Sequence, residues 1–165
     1  MPEYWLDADV FITPNRQGFY SLDLAPSYWE MLEQKASDGI LASPMRVYQE
    51  LADYGDNLSA WAIDRRDSGL FITEDQDVQV AMTRVADYVV QNYQGHKAQE
   101  FLGGADPWVI AHALSDDSIV VTFESRVNMA SQTPKVPNVA QAFQVRTVNL
   151  YRMLQTLGVS LEFRG

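Results

Sequence analysis

The sequence contains no cysteine, which excludes disulfides and any metal site built on thiolates. No apolar run approaches the roughly 18 residues that a membrane-spanning helix needs. The opening stretch MPEYWLDADV lacks the basic start and apolar core of a secretion signal. The expectation is a cytoplasmic protein with no membrane association. Bases are scarce: 12 Lys and Arg stand against 22 Asp and Glu, a net charge of −10. Phosphate contacts need Lys and Arg, so this is a poor footprint for a general nucleic-acid binder. Only two histidines are present, and no internal repeat or low-complexity tract is visible.

What the chain has in quantity is acid. Acidic side chains are either a solvated surface or a cluster that holds a divalent cation. A protein of the second kind still acts on nucleic acid if a small basic rim or a basic partner offsets its field. The length, 165 residues, suits one domain (1–165) with a sizeable core.

Hydrophobic patterning places the acids. Residues 3–8 read as a short strand ending at Asp7, and "ILAS" (40–43) as another. "SIVVTF" (118–123) is β-branched and apolar on both faces, as in a covered parallel sheet. Helices are expected over 25–40, 43–55, 57–66, 75–93, 103–115 and 147–158, several with a Pro in the first turn and a Gly past the end. Residues 129–142, with two prolines, read as loop, and "VSLEF" (159–163) as an edge strand. Strands alternating with helices predict an α/β fold around a small, mostly parallel central sheet. Ligands bind beyond the carboxyl ends of such strands. Asp7 and Glu124 each follow a strand, and Asp106 opens a helix, so all three can face one end of the sheet.

Each acid also has a plain reading. Asp106 before Pro107 makes an N-cap, Glu50 can be a solvated helical residue, and Asp7 and Asp9 can cap a turn. Asp116 and Asp117 read as a solvated turn. His112 lies roughly 240° round the helix from Asp106, at about 100° per residue, so the two do not share a face. It reads as a partly buried polar residue, and His96 as part of a Gly-containing loop. The four tryptophans read as core or interface aromatics.

The Asp7-x-Asp9 pair after a strand also opens the haloacid-dehalogenase-like phosphatases, in which the first Asp attacks phosphate. Thr122 and Lys135 could serve as that machine's later Thr and Lys. Its late acidic pair is missing, because the only acid after Glu124 is Glu162. As metal ligands, by contrast, the acids need no covalent nucleophile. Mg²⁺ and Mn²⁺ prefer hard oxygen donors and keep several waters.

"LDADVFI", "VYQEL", "ADPWVIAHA" and "VVTFE" occur in that order. Together they resemble the pattern of PIN-domain nucleases, the fold of many toxin ribonucleases of the VapC kind. "FYSLDLAPSYWEML", "ADPWVIAHAL" and "KVPNVAQAFQVRTVNLYRMLQTLG" are similar to one PIN-like branch, domain-of-unknown-function family 4411, over nearly the whole chain. The resemblance implies a three-layer α/β/α sandwich. It also implies a metal-dependent endoribonuclease that hydrolyses RNA with a metal-activated water. Asp7, Glu50 and Asp106 match the three acids that hold Mg²⁺ or Mn²⁺. Glu124 stands where the fourth acid, usually Asp, is found; it is the one departure, longer by a methylene. Thr122 matches a supporting hydroxyl, and Asp9 is an extra acid near Asp7, a supporting residue of the site or a turn cap. Arg126 and Arg16 are the candidate RNA-binding bases, with Arg46, Lys97 and Lys135 as further cations of the rim. A toxin–antitoxin setting, with an antitoxin partner and homodimers, is implied as well. A PIN-like binding module without catalysis is the alternative.

Overall fold

A computed structural model describes residues 1–126, 128 and 130–162. Among them lie five strands: β1 (Tyr4–Leu6), β2 (Leu41–Pro44), β3 (Phe71–Ile72), β4 (Ile119–Val121) and β5 (Thr147–Val148). The sheet order is β3-β2-β1-β4-β5 and every pairing is parallel. Parallel neighbours need long crossovers, and helices supply them. α1 (Asp9–Gln17) and α2 (Pro26–Ser37) join β1 to β2; α3 (Met45–Ala52) and α4 (Asn57–Asp64) join β2 to β3. α5 (Gln76–Asn92), α6 (Gly95–Leu102) and α7 (Asp106–Asp116) join β3 to β4. α8 (Val136–Ala142) joins β4 to β5, and α9 (Leu150–Thr156) closes the chain. The architecture is the expected three-layer α/β/α sandwich, with a sheet that is wholly parallel.

The strands are short because only the centre of the sheet is covered. β1, β2 and β4 are buried along their whole length. α7 packs against all three of them and against α5. Its apolar stripe, Val109, Ile110 and Ala113, is fully buried, as the periodicity predicts. Caps set the other helices: Asp56, Asp75 and Asn149 each accept a hydrogen bond from a backbone N–H in the first turn that follows.

Several expectations need correction. α1 follows β1 directly, where no helix was read, because Pro14 lies inside it. Proline cannot donate to the carbonyl four residues back. That carbonyl, on Val10, instead accepts a 2.7 Å bond from the Tyr28 hydroxyl. His96 belongs to α6 and not to a loop, and 136–142 is helix α8, with Pro137 harmless at its second position. Ser43 and Pro44 finish β2 before α3 begins, and 147–148 is strand β5 before α9. Residues 159–162 are not a strand; Phe163 lies outside the described residues.

Candidate functional site

The strand order reverses direction about β1: the chain moves outward through β2 and β3, then crosses to β4 and β5 on the other side. The crevice between β1 and β4 at their carboxyl ends is therefore the switch point where such sheets bind ligands. Asp7 continues β1 there, its N–H still donating to Val121 O at 3.0 Å. Thr122 continues β4 on the adjoining side, its N–H donating to Val148 O.

Asp7 is only 2% exposed. Its Oδ1 accepts from Ala8 N at 2.8 Å and its Oδ2 lies 2.9 Å from Thr122 Oγ1. The same hydroxyl lies 3.0 Å from Asp9 Oδ2. A threonine hydroxyl has one hydrogen, so it can donate to only one of these two carboxyls at a time. Asp9 is not a turn cap, contrary to expectation. Its Oδ2 also accepts from Phe123 N at 3.0 Å, which ties the first helix to the end of β4. Its Oδ1 is buried and has no hydrogen-bond partner.

Two helices bring the remaining acids. Glu50 sits on α3, and its Oε1 accepts from Ala105 N at 2.9 Å, at the start of α7. Gly104 makes that approach possible: a Cβ there would stand 3.3 Å from Glu50 Oε1. Asp106 is the first residue of α7, one place inside the expected N-cap; Ala105 holds the cap position and no side chain caps it. Glu124 accepts from Val136 N at 2.9 Å through Oε2, so it also ties down the start of α8.

The electrostatics show that these groups share one space. Burial pushes the Asp7 carboxyl up to about 8, and the Asp9 and Glu124 charges push it the same way. Burial raises Asp106 to about 8, with Asp7, Glu124 and Glu50 adding repulsion. Asp9 rises to about 6, chiefly by burial and against its bonds to Thr122 and Phe123. Carboxyls desolvated beside like charges hold protons that they would lose in water. The five acids, from β1, α1, α3, α7 and the end of β4, form one corner that gathers more negative charge than it can carry alone.

The donors fit a hard divalent cation, since all are oxygens and neither histidine takes part. A cation would relieve the repulsion and give the orphaned Asp9 Oδ1 a partner. Among the described residues, no three acidic or histidine side chains stand in a direct ligand shell. Mg²⁺ commonly takes one or two carboxylates and completes its shell with water, so this spacing suits a largely hydrated ion.

The other candidates are engaged outside the acid cluster, although Arg126 shares a pocket with Thr122 and Glu124 and Arg46 one with Glu50. His112 is 2% exposed and stacks on Trp5 at 4.2 Å; burial lowers it to about 4. Trp5, Trp29 and Trp61 are core residues. The Arg16 guanidinium lies over the Tyr54 ring, at 4.7 Å. Arg126 is exposed and donates to Gln141 Oε1 at 2.8 Å. Arg46 pairs with Glu74 at 2.7 Å and lies over Trp108. Asp9 was expected as a supporting acid of the site, but its partners Thr122 and Phe123 were not foreseen from sequence. The only signal was an acid at the second position after Asp7, and those partners lie more than a hundred residues away.

Fold and corner together define a parallel α/β/α sandwich with an acidic cluster at its switch point. The chain belongs to the family described as Domain of unknown function (DUF4411), which matches residues 4–161. No curated protein matches the chain. Among solved structures it is similar to a chain in the crystal structure of VapBC2 from Rickettsia felis bound to a DNA fragment from their promoter. That similarity has a TM-score of 0.52 and 16% identity, over 88% of this chain and 97% of the other. At that identity the likeness is one of fold. Among the described residues no helix is long and apolar enough to cross a membrane.

Proposed function

We propose that the protein is a metal-dependent endoribonuclease and the toxin of a toxin–antitoxin pair. The observation that carries this is the convergence of Asp7, Asp9 and Asp106 at the sheet's switch point, each with its carboxyl raised. The likeness in fold to a chain of the VapBC2 structure supports the toxin setting.

In this reading Asp7, Glu50, Asp106 and Glu124 hold Mg²⁺ or Mn²⁺. When bound there, such a cation would supply an acidified water and positive charge opposite the phosphodiester. The chain's own groups set the geometry. The Thr122 hydroxyl donates to Asp7 or to Asp9, the Ala105 N–H fixes Glu50, and the Val136 N–H fixes one oxygen of Glu124. Supporting bonds of this kind hold carboxylates in place for their ligand. An acidic chain suits a basic antitoxin segment; homodimers and a cytoplasmic setting belong to the same proposal.

The test is cleavage of single-stranded RNA with Mn²⁺ present. Wild type is expected to cleave, and Asp7→Asn to lose about 100-fold or more of that rate. Equal cleavage by Asp7→Asn removes the acids from the reaction. One observation favours a second reading, a binding module without catalysis: the absence, among the described residues, of three carboxylates in a direct ligand shell. Calorimetric titration with Mn²⁺ separates the two. No binding by wild type, or equal binding by Asp106→Asn, selects the binding module.

A further inference from the structure

A cleft of about 340 Å³ opens beside the acidic corner, and Asp106 and Glu124 are part of its lining. His96, Lys97 and Lys135 line it with them. Lys97 comes from α6, and Lys135 sits at the cap of α8. The chain has only three lysines, so two of them are placed in this one cleft. Both are half-buried, and among the described residues neither forms an ion pair, although three carboxylates, Glu100, Asp106 and Glu124, share the cleft. One of those carboxylates, Glu124, accepts from the Val136 backbone instead.

An unpaired ammonium that is partly withdrawn from water loses solvation and gains no counter-charge. Two such groups stand beside an acidic corner in a chain of net charge −10, in a cleft whose third acid, Glu100, faces His96 at 3.9 Å. Lysine meets phosphate as a compact point charge. Of the arginines first considered for this work, Arg16 lies over Tyr54, and Arg126, bonded to Gln141, lines the neighbouring pocket with Thr122 and Glu124 and not this cleft. A cleft of this volume admits a splayed nucleotide and shuts out the stiff cylinder of a duplex.

We propose that Lys97 and Lys135 bind phosphates of a single-stranded nucleic acid in this cleft, leading the strand past Asp106 and Glu124. The assignment rests on reading the acidic corner as the place where a phosphodiester is cleaved. It makes the two lysines positioning residues, with no part in holding the cation. His96, exposed on the same cleft, is placed to meet the strand where it enters.

The experiment measures binding of a fluorescein-labelled single-stranded RNA of about a dozen nucleotides by anisotropy, with EDTA present so that binding is read apart from cleavage. Lys97→Ala and Lys135→Ala are each expected to weaken binding about 5-fold at low salt. Each is expected to reduce the slope of log K against log salt by about 0.7, the loss of one phosphate contact on a single strand. Lys97→Arg keeps the slope, Arg16→Ala leaves affinity unchanged, and Mn²⁺ affinity by calorimetry is the same in Lys97→Ala as in wild type. A folded Lys97→Ala/Lys135→Ala variant with wild-type affinity and salt slope overturns the assignment, as does a wild type that binds no RNA. So does lysine-dependent binding of poly-glutamate that is tighter than that of RNA, because the cleft then takes an acidic protein segment. If wild type binds RNA through the lysines but cleaves none with Mn²⁺, the nuclease reading falls and the cleft stands. Cleavage with lysine-independent binding does the reverse.

Discussion

The first helix passes through two regions of opposite character. At its start, Asp9 enters a corner where three carboxyls are raised and one buried oxygen has no partner. Two residues later, Phe11 enters an aromatic cluster, with ring centroids 6.4 Å from Trp29, 6.1 Å from Trp61 and 5.9 Å from Phe71. There the polar handles of Tyr28 and Trp29 are engaged. The Tyr28 hydroxyl donates to Val10 O at 2.7 Å, and Trp29 Nε1 donates to Tyr20 O at 2.9 Å. Tilted and edge-on rings add favourable contacts beyond burial. One region has its interactions satisfied, and the other keeps an electrostatic deficit that a ligand can relieve. A chain that only needed to fold would not carry that deficit, so the contrast separates the part of the molecule that stabilises from the part that binds.

The contrast predicts that stability and ligand binding respond to different substitutions. The largest effect belongs to the aromatic side. Trp29→Ala removes a buried ring that packs edge-on against Trp61 at 4.9 Å, at a cost of about 3–5 kcal/mol. Urea denaturation measures it. Mn²⁺ affinity of the folded fraction is expected to stay at the wild-type value. A fall in affinity to match would show that the two regions are one unit.

The acidic side is broken by pH. Asp7 and Asp106 hold their protons to about 8 in the folded chain and Asp9 to about 6, against an ordinary value of 3.8. Between roughly pH 4 and 8 the folded state therefore binds more protons than the unfolded state, and stability falls as pH rises through that window. For the fully buried Asp7 the change is on the order of a few kcal/mol. Urea midpoints at pH 5 and pH 8.5, without divalent cations, are expected to show the lower stability at pH 8.5, and Asp7→Asn to flatten the difference. Mn²⁺ should stabilise more at pH 8 than at pH 6, because ligating carboxyls must first lose their protons. Stability that climbs from pH 5 to 8 without metal contradicts the crowded corner.

Legibility in the sequence divides along the same line. β4 and α7 could be read because Val120, Val121, Val109 and Ile110 are apolar with the right period, and periodicity is local. Asp7, Asp106 and Glu124 stood out by their settings at strand and helix ends, Glu50 by its place inside a helix, and all four by the resemblance; the structure brings them close enough that Asp106 feels the charges of Asp7, Glu124 and Glu50. α1 was hidden because the group that makes Pro14 tolerable, Tyr28, lies on another helix. α8 was hidden because Pro134 and Pro137 resemble loop composition, although the second falls where a helix needs no N–H. β3 and β5 are two residues each, too short for any pattern. The partners of Asp9 were illegible for a tertiary reason, since Thr122 and Phe123 arrive only when β4 docks beside β1.

A smaller effect sharpens the satisfied side. Tyr28→Phe leaves Val10 O buried and unpaired, at a cost of about 1–2 kcal/mol. Pro14→Ala restores an N–H that can reach the same carbonyl. In the double variant the cost of losing the hydroxyl is expected to shrink by about 1 kcal/mol, a coupling read from denaturation of the four species in the cycle. Strict additivity would mean that the hydroxyl does not stand in for the missing N–H.

The smallest effect on stability falls where the two regimes meet α7. A Cβ on Gly104 would stand 3.3 Å from Glu50 Oε1, and one on Gly103 would stand 3.3 Å from the Gln99 carbonyl. The first neighbour is the far end of a side chain that can swing aside, and the second is backbone that cannot. Gly104→Ala should therefore cost less than about 1 kcal/mol, while loosening the bond from Ala105 N that fixes Glu50. Loss of a supporting bond of that kind lowers metal affinity or activity by about 10-fold. Gly103→Ala should do the opposite, costing stability and leaving Mn²⁺ binding alone. Measuring both variants by denaturation and by Mn²⁺ titration gives a ratio that neither alone supplies. If Gly104→Ala binds Mn²⁺ as tightly as wild type, Glu50 is only an anchor for the start of α7, and the cation is held by the remaining acids.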